Sequence, residues 1–168
     1  MRPPRALPAL AGLVLIGFPL ASCTLEERTD REAPPAESTR RQVIQPAGVA
    51  RLPVFSSAIR SGDFIFLSGQ LGALPNVDPP QVVEGGIEAE THQAMKNLGA
   101  VLREAGLGYE DVVKTSVFLA DVADFAAMNA VYAGYFPRGG IPPARTTVQA
   151  AAIPGGGRIE IDFIAARR

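Results

Sequence analysis

The chain has one cysteine, one histidine and no tryptophan in 168 residues. A single cysteine excludes an internal disulfide framework, and with one histidine it argues against a Cys/His zinc site. No indole is available as a stacking platform. Charge of one sign is also missing: 16 basic against 17 acidic side chains leave a net −1. That balance argues against an electrostatic nucleic-acid binder, which presents a basic face. What the chain does have is apolar mass. With 47% hydrophobic and 20% charged residues it is too apolar to stay unfolded. At about 100–200 residues per domain, one domain is expected.

Residues 1–8 carry Arg2 and Arg5 and no acid, and residues 9–21 are nearly all apolar. An apolar run of that length reaches about 20 Å as a helix, short of a ~30 Å hydrocarbon core. A positive start, a short apolar run and a small-residue end predict an export signal over 1–22. Leu20-Ala21-Ser22-Cys23 resembles a bacterial lipobox. The resemblance implies cleavage before Cys23, acylation of its thiol, and a lipid anchor in the cell envelope, with the domain facing the periplasm. Loss of 1–22 removes two arginines and no acid, so the mature charge is −3. Residues 23–48 follow, rich in acids and arginines with Pro34-Pro35. Apart from Val43 and Ile44 they offer little to bury, and they read as a flexible tether. The folded domain is expected over 49–168.

Within it, residues 56–60 and 64–68 predict two strands around Ser61-Gly62-Asp63. Gly72 to Pro80 reads as a loop. Ile87, Thr91, Ala94, Leu98, Val101, Leu102 and Ala105 recur at steps of three and four, an amphipathic helix closed by Gly106 and Gly108. Residues 111–119 form a β-branched strand. Asp121 caps a second helix with a buried stripe of Phe125, Met128, Tyr132 and Tyr135 or Phe136. Strands over 145–152 and 158–166 flank Pro154-Gly155-Gly156-Gly157. The order is ββαβαββ, an α+β sheet with both helices on one face.

The last two strands read as a hairpin that carries the chemistry. Alternation separates Ile159, Ile161 and Phe163 from Glu160 and Asp162. If the isoleucine face takes the helices, Arg145, Thr147, Gln149, Glu160 and Asp162 are expected together on the other face. Ile141-Pro142-Pro143-Ala144 forms a rigid lead-in that aims Arg145. His92, the one histidine, reads as a surface residue of the first helix. The Gly155–Gly157 run reads as a turn, since no helix start or Lys-Ser/Thr follows it.

Phe64-Ile65-Phe66-Leu67-Ser68-Gly69-Gln70 and Lys114-Thr115-Ser116-Val117-Phe118-Leu119 resemble the Rid (YjgF, reactive intermediate deaminase) family. So do Asp121, Asp124-Phe125, Asn129, Pro143-Ala144-Arg145-Thr146-Thr147-Val148 and Ile159-Glu160-Ile161, in order and spacing over about 50–168. The resemblance implies a chorismate-mutase-like fold and a homotrimer with three clefts between subunits. It also implies hydrolysis of 2-imino or 2-enamino acids to 2-oxo acids and ammonia. By motif, Arg145 matches the arginine that holds the substrate carboxylate, and Glu160 the acid that orients or deprotonates water. Ser68, Gly69 and Asn129 match other cleft-lining positions. Phe55 stands where many members have tyrosine, and Thr147 where many have cysteine, and both border the cleft. No metal or organic cofactor is implied, because a protonated imine is already an electrophile.

Two other functions are compatible with the same residues. One is a non-catalytic module that uses the arginine clamp to bind a small carboxylate. The other is an endoribonuclease or translation inhibitor, which the negative mature charge disfavours; no nucleic-acid partner is expected.

Overall fold

The computed structural model describes residues 41–46, 53–77, 79–136 and 139–167. The export segment, Cys23 and the tether as far as residue 40 lie outside the described residues.

The clearest local pattern, the alternation of Ile159, Ile161, Phe163 and Ala165, becomes the centre of the fold. None of the four is more than 1% exposed. They lie on β6 (Ile159–Ala166), which is antiparallel to both β3 (Phe64–Leu71) and β4 (Val112–Leu119). Outside these run β2 (Ala58–Ser61) and β1 (Gln42–Ile44) on one side and β5 (Ala144–Gln149) on the other. The six strands form one sheet in the order β1-β2-β3-β6-β4-β5. It is mixed, because β5 lies parallel to β4 while the other pairs are antiparallel. A parallel neighbour requires a crossover, and α2 (Phe125–Ala133) supplies it.

The other helix, α1 (Gly86–Glu104), buries the stripe the sequence predicts, including Ile87, Thr91, Ala94, Leu98, Val101 and Leu102. It ends where glycine is needed. Gly106 takes φ 74°, its N–H donates to Arg103 O at 2.9 Å, and Leu107 N–H donates to Leu102 O at 2.9 Å. That double closure needs a left-handed residue at the helix end. Met128 and Tyr132 of α2 join the same apolar cluster, so both helices cover one sheet face. The buried Tyr132 hydroxyl donates to Thr115 Oγ1 at 3.0 Å, which satisfies two polar groups inside an apolar layer.

Phe163 anchors this layer, with the rings of Tyr109 and Phe136 edge-on at 6.4 Å. Phe163→Ala is expected to lower the unfolding free energy by about 3–5 kcal/mol. A shift in the urea midpoint of the isolated domain measures it.

Two expectations change. A strand begins before residue 49: Gln42–Ile44 pairs with Ala58–Arg60 at the sheet edge, and Ile44 is buried. Val43 and Ile44, the two apolar residues of the stretch read as tether, are the ones recruited. The second change concerns the last two strands. They form no hairpin, because β4 lies between them.

Candidate active site

Arg145 is the second residue of β5, which begins directly after Pro142 and Pro143. Those prolines line a cavity of about 480 Å³ together with Arg145, Asn129, Tyr132 and Phe136. The guanidinium carbon sits 4.8 Å from the Tyr132 ring centre and 5.6 Å from that of Phe125. Contact with two ring faces confines the guanidinium by cation–π attraction. Among the described residues Arg145 has no carboxylate partner. The sequence placed Phe125 in the buried stripe of the second helix; it is instead 41% exposed and serves as one side of this platform.

Glu160 lies elsewhere, on β6 in register with Leu71 of β3 and Phe118 of β4. A register shift between Leu67 and Gln70 re-aims β3 beside it. Gly69 stands in that shift, so close that a Cβ there would overlap Glu160 Oε1. Glycine is therefore the residue that lets the carboxylate lie against the strand. Ser68 holds the preceding segment in place: its hydroxyl donates to Ser56 O at 2.7 Å and its N–H to Ser57 O at 3.0 Å. That segment presents Phe55, which with Gly69 lines a cavity of about 420 Å³. Burial pushes the Glu160 carboxyl up from the usual glutamate range, and the negative charge of Asp162 adds to it. A carboxylate poised in this way is a better base than an exposed one.

The expectation that Arg145, Thr147, Gln149, Glu160 and Asp162 share a face is overturned. Arg145 pairs with Thr115, which pairs with Phe163, and Thr147 pairs with Val117, which pairs with Ile161. Arg145, Thr147 and Gln149 thus lie on the helix-bearing face, and Glu160 and Asp162 on the open one. Alternation sets faces within a strand, and the register of the strand between sets them across strands. One chain therefore holds two candidate half-sites. The first comprises Arg145 and Asn129, with Thr147 two residues along β5, its buried Oγ1 without a hydrogen-bond partner among the described residues. The second comprises Glu160, Gly69, Ser68 and Phe55. His92 bonds the Tyr135 hydroxyl at 2.9 Å, away from both.

Sequence reasoning also missed Glu90. The available signal was an acid on the apolar stripe of α1, between Ile87 and Ala94.

Fold and site together define a small α+β domain with an arginine against two aromatic rings on one sheet face and a glutamate of raised proton affinity on the other. A sequence model described as endoribonuclease L-PSP matches residues 47–167. Reactive Intermediate Deaminase A, chloroplastic, of Arabidopsis thaliana is 41% identical over 131 residues, 77% of this chain and 68% of that one. The rat protein named 2-iminobutanoate/2-iminopropanoate deaminase is 42% identical over 126 residues, covering 75% and 89%. The crystal structure of the Escherichia coli YjgF gene product superposes with a TM-score of 0.69 at 33% identity, covering 76% and 99%. The chain belongs to this family, the endoribonuclease L-PSP or YjgF/Rid family.

Proposed function

We propose that this chain hydrolyses 2-imino and 2-enamino acids to 2-oxo acids and ammonia, in clefts completed by neighbouring copies in a homotrimer. The observation that carries the reading is an Arg145 held against two ring faces with no carboxylate partner among the described residues, on one sheet face, and a Glu160 whose proton affinity is raised on the other. The relatives named as deaminases lend support at 41–42% identity.

The guanidinium grips the substrate carboxylate through two parallel donors. The protonated imine carbon is the electrophile. As water oxygen bonds to it, Glu160 takes the proton from water and the C=N bond becomes C–N. The proton then passes to nitrogen; as the C–N bond breaks and ammonia leaves, the hydroxyl gives its proton back to Glu160, the C=O bond forms, and that proton is released to ammonia or solvent. Water and imine account for every atom of the oxo acid and the ammonia.

The half-sites face opposite ways, so a second copy must bring its glutamate to this chain's arginine. Unlike surfaces meeting head to tail close into a ring when the rotation permits. The open face is suited to such a contact: Phe64, Phe66 and Val148 are each nearly half exposed around Glu160 and Asp162. The two carboxylates on that face also argue for a small zwitterionic substrate over an RNA phosphodiester. On the lipobox sequence alone, the same reading puts the domain on a lipid tether.

Generating 2-aminoacrylate in situ and following its loss tests the reading. The purified domain is expected to accelerate hydrolysis, with the rate falling as pH drops through the Glu160 pKa, above the ordinary glutamate value of 4.5. Asp162→Asn is expected to move that acid limb down, since it removes a like charge. Binding of 2-oxobutyrate without any acceleration would leave only a carboxylate-binding module.

A further inference from the structure

One buried acid belongs to neither half-site. Glu90 is 4% exposed on the inner stripe of α1. Its carboxylate accepts the Arg158 backbone N–H at 2.7 Å, and the next N–H, of Ile159, also favours its charged form. Those are the two residues immediately before Glu160. The packing around the contact leaves no slack: a side chain at Gly72 would overlap the Glu90 Cβ, and Gly157 lies beside Oε2. Arg158 is held from a second direction, its Nε and Nη2 each donating to Asp124 at 2.9 Å. The N-terminal end of β6 is thus clamped between α1 and the turn that leads into α2.

A carboxylate in this position is costly. Burial pushes the Glu90 carboxyl up and Asp124 adds to the rise, while the Arg158 and Ile159 N–H groups and the Arg158 charge oppose it. An apolar side chain would fill the stripe without that cost, but it offers no acceptor to the Arg158 N–H.

We propose that Glu90 is a positioning residue for Glu160: it fixes the start of β6 so that the Glu160 carboxylate stays against Gly69. The proposal rests on the reading of Glu160 as the base. Misplacement of a reacting group by about 1 Å is enough to slow a reaction up to a hundredfold.

Glu90→Asp keeps charge and burial while withdrawing the carboxylate by one methylene, and Glu90→Gln keeps an acceptor oxygen. In the 2-aminoacrylate assay Glu90→Asp is expected to lower kcat about tenfold with KM changed less than about twofold, because Arg145 carries substrate binding. Its acid limb is expected to move down as Glu160, still beside Asp162, relaxes towards water. Glu90→Gln is expected to retain kcat within about threefold with the limb in place. Unchanged kcat and acid limb in Glu90→Asp would overturn the proposal. So would a loss of kcat that only follows the folded fraction seen by circular dichroism, with the limb unmoved. Glu160→Gln in the same series separates the two readings. If it keeps wild-type turnover, the assignment of the base fails; if it is inactive while Glu90→Asp is normal, the Glu90 proposal alone fails.

Discussion

Arg145→Ala is expected to reduce kcat/KM for imine hydrolysis by about a thousandfold, with the domain still folded. A charge-assisted, two-pronged contact to a carboxylate in a partly dry cleft contributes about 3–5 kcal/mol, and each 1.4 kcal/mol is a factor of ten. Arg145 lies at the sheet edge, so its removal takes little from the core. Lysine is not a substitute. The guanidinium lies over the Tyr132 and Phe125 rings, and an ammonium on a flexible stem offers neither its plane nor its parallel donors. Arg145→Lys is therefore expected to recover less than about a tenth of the lost rate. Loss of 2-aminoacrylate in the presence of each variant measures both; a rate unaffected by Arg145→Ala would remove the clamp from the mechanism.

The second expectation follows from the two faces. Arg145→Ala and Glu160→Gln are each expected to be nearly inactive alone, yet to recover activity when unfolded together and refolded as a mixture. In a ring, each cleft draws its arginine from one copy and its glutamate from the next. With equal amounts of the two variants, about half of the arginines and half of the glutamates are intact, so about a quarter of the clefts are complete. Turnover near a quarter of wild type is the predicted result. If both residues served one site within a single chain, no mixture would recover anything. Sedimentation of the refolded mixture checks that the assembly has formed.

Much of this site was legible from sequence. The Pro142-Pro143 lead-in does precede an arginine that lines a cavity with them. The alternation in β6 did separate Glu160 and Asp162 from the core. The partition of Arg145 from Glu160 was not legible. Reading the last two strands as a hairpin treats them as neighbours, whereas β4 lies between and its register decides which side chains share a face. Phe125 was placed on the buried stripe by helical period alone, but α2 lies near the sheet edge and its first turn overhangs Arg145. Glu90 was overlooked because an acid on an apolar stripe reads as a surface residue. Only the close approach of the β6 start reveals its backbone donor, the Arg158 N–H.

By itself the sequence determined what is local: the period of each strand and helix, the Gly106 helix end, the residue types available for acid, base and anion binding. Periodicity is set by backbone geometry over a few residues, so it survives without knowledge of the rest of the chain. Tertiary structure alone decided which strands are neighbours, which face each functional side chain meets, and therefore that the arginine and the glutamate of one chain point apart. Those facts depend on pairings between segments distant in sequence, where a shift of one residue would carry every side chain of a strand to the other face.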